Sequence, residues 1–519
     1  MGSSWAEFGA NCKSRLSAIA RSCFLGRTHW IEKSQETKRA GEELRKALAV
    51  CEARCRRIER ENEDLRRRNS ELESQGAEPR PIQLPLGDVP HGQQFGAGQV
   101  ALGVNLARKF GFRRAAWAQK IFGWLGVKVK IPTHETIRLW SQRIGLARIR
   151  RAKKKTGGIW LVDHTNQIGK EKVLTVLRVR SLPPAGVALR YHDVEPLVVI
   201  PATEWKRADV AKAYQQAEAR FGTPDAVVTD GAVELREPVA GLGKPGKTPR
   251  AFRDPKHFLA NQLEGLLKKD SRWEAFTQSI GRSRSALQQT ELAHFIPPAF
   301  KLKARFMNLG PILHWAATVL WHLDHPKSAS REEVSMERME EKLGWLREFA
   351  AHIQQWQECQ KVISMTLAFL NEQGVFPGVV NAYRKLVAGI AQSPSSQQLV
   401  SSTNALLGEY EKTLQPNERL RISTEILESS FSRYKQLEQQ HSKSGFTSLL
   451  LAFPMLLRPT TAKEATACFA RVKVADVKAW AKEHLPNTLA SKRQCMFRVA
   501  NPKPKGKTHK RATALAHAT

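Results

Sequence analysis

The sequence predicts a mainly α-helical protein that holds one small α/β core and opens with a coiled coil. Three observations carry this. Apolar residues recur every three and four positions through residues 40–75. Two short apolar runs of strand character, Gly158–Asp163 and Asp225–Asp230, each close on an aspartate. Helical periods fill most of the long interval from Asp230 to Glu428.

Composition bounds the partners. In 519 residues Lys plus Arg (83) exceeds Asp plus Glu (49), leaving a net charge of +34. Such a chain gains affinity for polyanions by releasing their counterions, so nucleic acid is the first partner expected and an anionic membrane the second. The membrane is the poorer fit, because the longest apolar stretch, Leu449–Leu457, is interrupted by Pro454 and falls short of the ~20 residues that span a bilayer. The N-terminal residues contain no continuous apolar run of signal-peptide type, so the expected location is cytoplasmic and nucleoid-associated. Seven cysteines, at 12, 23, 51, 55, 359, 468 and 495, contain no paired CxxC or Cys/His quartet, which points away from disulfides and structural zinc.

The elements follow in order. Residues 1–34 are a basic segment. Across 35–75, Leu48, Cys55, Asn62 and Asn69 occupy a positions and Leu44, Cys51, Ile58, Leu65 and Leu72 occupy d positions of a heptad. Asparagine at a favours a parallel two-stranded coil, and the g-to-e pairs Arg54–Glu59, Glu61–Arg66 and Arg68–Glu73 are all opposite in sign, so a homodimer is expected. Residues 76–94 read as a Pro- and Gly-rich linker.

Residues 95–150 carry three helical patterns, 99–110, 114–124 and 133–144, the last opened by Thr133 as N-cap and closed at Gly145. They read as a helix-turn-helix whose final helix enters a major groove, with Thr133, His134, Thr136 and Arg138 as candidate readers and Ile137 and Trp140 facing the core. A purely structural three-helix unit is the other reading. The basic connector 148–155 either tracks phosphates or is a solvated linker.

From Gly158 the period changes to that of strands. Strands are expected at 159–162, 173–179, either 187–191 or 197–200, and 226–229, with an amphipathic helix over 205–221 before the last. This βββαβ order, with acids ending the first and fourth strands, is the pattern of an RNase H-like core, whose first part spans 157–268. Residues 269–420 read as a helical insertion between the second and third acids, with helices at 311–323, from Ser330 with Glu333 as capping box, at 345–370 and at 401–414. Residues 421–460 hold the helix with the third acid, and 461–519 form a C-terminal segment with a basic tail, Lys503–Arg511.

Three windows carry a resemblance: Leu161-Val-Asp163-His-Thr, Val227-Val-Thr-Asp230-Gly-Ala, and Glu428-Ser-Ser-Phe-Ser-Arg-Tyr-Lys435. The chain resembles the DDE-type transposases of bacterial insertion sequences, with a retroviral-integrase-like core. The resemblance implies a DNA transposase that hydrolyses phosphodiesters at transposon ends and transfers the freed strand into target double-stranded DNA. Its catalytic and metal-ligating residues would be Asp163, Asp230 and Glu428, holding two Mg2+ ions, with Mn2+ as a substitute. Lys435, seven residues after Glu428 and within about 20° of it on the helix, would bind phosphate. Families with a Tyr-Arg-Glu-Lys signature carry arginine four residues before the glutamate, where this chain has Thr424; Arg421 is the candidate substitute. Asp254 and His257, in Asp-Pro-Lys-His, are possible accessories, or simply a helix cap and a surface residue. Glu264 rivals Glu428 on spacing, but serine follows it at the position of Lys435.

Other motifs point elsewhere. Gly241–Thr248 satisfies the P-loop pattern, yet Pro238 precedes it and Pro249 follows, so no ATP is expected. Trp315 and Trp321 fit a buried helical face better than a base-stacking one. The lack of a His-x-x-Arg box before the few tyrosines argues against a tyrosine recombinase. A transposase-derived DNA-binding regulator that has lost catalysis is the alternative function.

Overall fold

The computed structural model describes residues 93–501 except 125–129, 167–170, 300–305, 307–308, 326–334 and 440–445, and nearer the N terminus residues 42, 49, 52, 53, 56, 58–67 and 89. It divides into two units, Met1–Pro85 and Leu86–Thr519. In the first, residues 58–67 are helical, and Ile58 and Leu65, seven apart on one face, are 46% and 55% exposed. Most of the expected coil, including Asn69 and Leu72, lies outside the described residues.

The second unit is mainly helical around a mixed five-stranded sheet ordered β3-β2-β1-β4-β5. The strands are β1 (Ile159–Asn166), β2 (Lys172–Val179), β3 (Val194–Ala202), β4 (Ala226–Thr229) and β5 (Arg250–Arg253). β1, β2 and β3 pair antiparallel, whereas β4 runs parallel to β1 and β5 parallel to β4. Side chains alternate across a strand, and both faces are covered. Trp160, Val162 and Val227 pack on one side against Val210, Tyr214 and Phe221 of the crossover helix Arg207–Phe221. Ile159, Leu161, Ala226, Val228 and Phe252 pack on the other against a larger helical layer.

Sequence expectation and structure part at several points. The third strand is the one containing 197–200, while 187–191 holds no strand; it leads into a short 3-10 turn, Tyr191–Asp193. β5 was not expected at all, since Arg-Ala-Phe-Arg offers one fully buried apolar side chain and no visible period. The P-loop-like stretch is a tight turn that runs into β5 rather than into a helix.

The three-helix module also differs. Its helices are α1 (Ala97–Phe110), α2 (Phe112–Trp124) and α3 (His134–Arg151). α3 does not stop at Gly145. That glycine lies where a Cβ would come 1.6 Å from the carbonyl oxygen of Leu451, so it marks a close crossing of backbones, not a helix end. From Trp140 to Ile149 every residue of α3 except the half-buried Arg143 is buried. From Trp140 on α3 is thus a core helix, and the recognition-helix expectation narrows to its first turn, where Thr133 and Glu135 are exposed and His134, Thr136 and Arg138 half-buried.

Arg148, expected in a basic connector, is 5% exposed. Its guanidinium meets both carboxylate oxygens of Glu464, at 3.1 and 3.0 Å, and donates to the carbonyls of Pro454, Met455, Arg458 and Pro459 at 3.0–3.1 Å. Asn105 of α1 exchanges two hydrogen bonds with the Thr460 backbone. Residues 95–149 and 446–485 therefore share one core.

The helical insertion divides as well. The helices Ser271–Leu287, Gly310–Asp324 and Met336–Leu343 and the first half of Ala350–Gln373 surround a second core with α5, Pro255–Leu267. Leu370, Tyr383, Leu407 and Tyr410 belong instead to the first core. The expected helix start at Ser330 lies outside the described residues. Trp315 is buried, its indole N–H donating to Phe295 at 2.7 Å, but Trp321 is 50% exposed and stacks on His325. Among the described residues no helix is long and apolar enough to cross a membrane.

Candidate active site

Three neighbouring parallel strands bring an aspartate to one level of the sheet: Asp163 lies within β1, and Asp230 and Asp254 directly follow β4 and β5. Val228 pairs with Leu161 and Thr229 with Arg253, so continuing each register by two residues and one residue aligns Asp163, Asp230 and Asp254 across β1, β4 and β5. By the two-residue alternation Asp163 shares a face with Leu161, Asp230 with Val228 and Asp254 with Phe252, the face that carries the larger helical layer. Asp230 is followed by Gly231 at φ +92°, where Arg253 packs so closely that a Cβ would meet its Nε at 2.4 Å. Asp230 Oδ1 accepts the N–H of Ala232 at 2.8 Å, and Asp163 Oδ1 that of His164 at 2.6 Å.

The fourth acid arrives from far along the chain. Glu428 lies in the first turn of α12, Glu425–Gln439, whose Ile426, Leu427 and Phe431 enter the first core. Three ties between β5 and the approach to α12 hold it there. Arg250 forks onto both oxygens of Glu418 at 2.7 and 2.6 Å. The Tyr410 hydroxyl accepts the Arg253 N–H at 2.8 Å, with its ring edge-on to Phe252. Asp254 Oδ1 accepts the Thr424 N–H at 2.8 Å.

Asp254 does cap α5, with Pro255 at the first helical position, accepting the N–H of His257 at 3.0 Å. Yet it is fully buried, and its second bond, 2.8 Å to His257 Nδ1, turns that ring toward Glu428, whose Oε1 lies 3.8 Å from Nε2. Asp254, His257 and Glu428 each offer a ligand atom, and these atoms lie within 4.8 Å of one another. Lys256 Nζ is 2.5 Å from Glu428 Oε2. Asp254 and His257 were named from the sequence as possible accessories, whereas Lys256 was missed because β5, which sets its place, was missed.

Electrostatics bind the group together. Burial pushes the Asp163 carboxyl up to about 8, and the charge of Asp230 adds to it, only partly offset by His257, with Glu428 raising it further. Burial opposes the His257 imidazolium, but the Asp254 hydrogen bond and the charges of Asp254, Asp163 and Glu428 outweigh it and hold its pKa above the ordinary value. Burial likewise opposes the Asp254 carboxylate, and the bonds and charge from His257, with the Thr424 N–H, overcome it and keep Asp254 below the usual carboxylate range.

The shift at Asp163 predicts a stability profile. Its folded value of about 8 exceeds the unfolded value of about 3.9, so the native state keeps an extra proton between them, and stability present below pH ~4 is lost as pH rises through ~8. In a chelating buffer Asp163→Asn should melt above wild type at pH ~8.5, by on the order of a few kcal/mol, with the gap closing toward pH ~4. Thermal melts of the two proteins across that range test it.

The other sequence candidates are placed as follows. Glu264 lies two turns down α5, paired with Lys268 at 2.6 Å, and the charges acting most on Asp163 are those of Asp230, His257 and Glu428. Lys435 is exposed two turns beyond Glu428. Arg421 is corrected: it is 1% exposed and donates to the carbonyls of Pro184 at 2.8 Å and Val187 at 3.1 Å, so it fixes a loop and is shut away from any phosphate. Thr133 and Thr136 cap α3 with each other, through a 3.2 Å bond from the Thr136 N–H and a 2.9 Å hydroxyl contact. His134 and Arg138 both lie against Glu135.

Compared with protein-family models and with curated proteins, the chain matches none.

Proposed function

We propose that this chain is a DDE-class DNA transposase, cutting DNA at transposon ends and joining the freed 3′-OH to target double-stranded DNA. One observation carries the reading: three in-register aspartates of neighbouring parallel strands converge with a helical glutamate on one face of the sheet, in a chain of net charge +34. The strand order, with antiparallel β1–β3 and parallel β4 and β5 carrying the acids, supports an RNase H-like core.

The residues suit divalent cations. The buried Asp163 carboxyl is destabilised as an anion by its acidic neighbours, and Glu428 Oε1 is buried without a hydrogen-bond partner. Both want a cation, and the donors are the hard oxygens that Mg2+ or Mn2+ prefers. Asp163, Asp230 and Glu428 would hold the metal, which when bound activates the attacking oxygen and stabilises the leaving one.

The chain's own residues supply the rest. His257, oriented by Asp254, sets positive charge beside Glu428. Arg108, Arg190, Lys256 and Arg458 line a cleft of about 950 Å3 that opens on Glu428. It shares Leu457 and Arg458 with a second hollow, of about 460 Å3, lined by Arg151, Lys153, Lys155 and Arg180. The paired hollows suit a phosphodiester backbone running past the acids, and Lys435 extends the same positive field. A parallel coil through residues 35–75 would join two copies so that both transposon ends are held at the nucleoid.

One contact favours the second reading, a DNA-binding regulator without catalysis: Lys256 already neutralises one oxygen of Glu428. The deciding experiment incubates a plasmid carrying the flanks of the chain's own gene with protein and Mg2+. Strand cleavage by wild type and none by Asp163→Asn is the expected result, whereas binding without cleavage by wild type selects the regulator.

A further inference from the structure

While α3 is buried over Trp140–Ile149, α2 of the N-terminal module turns a whole side outward. On α2, Phe112, Ala115 and Gln119 are buried against α1 and α3, while Arg113, Trp117, Lys120 and Trp124 are exposed. These four stand at i, i+4, i+7 and i+11, one helical stripe about 16 Å long at 1.5 Å per residue. Trp117 is 56% and Trp124 70% exposed, in edge-to-face contact at 6.0 Å. Arg114 borders the stripe, and α2 contains no acid. Among the described residues, Arg113, Arg114 and Lys120 take part in no ion pair.

Two indoles left in water on a helix that buries its other side are costly unless something covers them. We infer that the α2 stripe is a docking surface for unpaired nucleic acid, its tryptophans stacking on bases and its cations meeting the adjoining phosphates. Alternation of aromatic and cationic side chains is what single strands require: every base has a π-face, and every linkage carries a charge. A membrane surface fits less well, because interfacial helices sink a broad apolar face, and among the described residues of α2 the fully exposed apolar side chains are Trp117 and Trp124, interleaved with cations. The surface is separate from the acids and needs no metal; it deepens the nucleic-acid reading by naming unpaired strand as the form recognised.

The test is metal-free binding, so its failure is distinct from failure of cleavage. Fluorescence anisotropy of wild type and Trp117→Ala/Trp124→Ala would use labelled oligo-dT, a duplex with a single-stranded tail and a blunt duplex, in EDTA. Both residues are exposed, and matching circular dichroism and melting curves would show that the variant folds. The expected result is a loss of about 10- to 100-fold on oligo-dT and the tailed duplex, with the blunt duplex within about threefold. Arg113→Gln/Lys120→Gln should lower the salt slope on oligo-dT by about one. Unchanged oligo-dT affinity in the tryptophan variant overturns the proposal, as does an equal loss on all three DNAs. It is also overturned if the variant instead loses sedimentation with phosphatidylserine-containing vesicles.

Discussion

Glu428→Gln is expected to lower Mg2+-dependent DNA cleavage by at least about 10^3-fold, some 4 kcal/mol of transition-state stabilisation, while Glu264→Gln stays within about twofold of wild type. The two glutamates have similar claims in the sequence, and the fold separates them. Glu428 enters the acid cluster on α12, 3.8 Å from His257, and acts on the Asp163 carboxyl; Glu264 lies down α5 against Lys268. The amide keeps the shape and the Lys256 contact but removes the charge that a divalent cation needs. Asp163→Asn and Asp230→Asn should be as severe. Because Lys256 pairs with Glu428 Oε2, Lys256→Met frees that oxygen and should weaken DNA binding without abolishing cleavage. Single-turnover cleavage rates measure all of these. A dead Glu264→Gln beside an active Glu428→Gln would reverse the assignment.

The second large effect is on folding. Arg148→Met should cost about 3–5 kcal/mol in thermal or urea unfolding, the range for removing one partner of a buried charge pair. Arg148 is the point where α3 is stitched to the chain after α12, and its loss leaves Glu464 with Arg458 alone and orphans four backbone carbonyls. Lysine would not restore the fork, so Arg148→Lys should recover only part of the loss. Adding Glu464→Gln to Arg148→Met should recover about 1 kcal/mol by removing the under-compensated carboxylate. A loss below about 1 kcal/mol for Arg148→Met would show that the network does not hold this junction.

These two cases mark what could be read from the chain beforehand. Asp163 and Asp230 were legible because continuous apolar runs betray strands buried on both faces. Glu428 was legible through its local helix and Lys435. Asp254 was half legible: its capping role follows from Asp-Pro at a helix start, but its place in the row of acids depends on β5. Four residues with a single buried phenylalanine, held by pairing with β4, carry no local signal.

Gly145, Arg148 and Arg421 misled for a common reason. Each residue type has an ordinary surface meaning, helix stop or phosphate contact, and each here serves a crossing of segments hundreds of residues apart or a loop on another element. Long-range packing alone distinguishes those uses. α3 shows the same limit, since its stretch Trp140–Ile149, buried on nearly every face, has no strong period to read.

Asp163, Asp230 and Glu428 are proposed to form one divalent-cation centre. Calorimetric titration of Mn2+ into the full chain at about pH 7 tests it most directly, because Asp163 must lose its proton as the cation enters. Saturable binding by wild type with proton release, read as a dependence of heat on buffer ionisation, and its loss in Asp163→Asn and Glu428→Gln but not in Glu264→Gln, is the result predicted. Mn2+ binding that survives in Asp163→Asn and Glu428→Gln, with unchanged proton release, would contradict it.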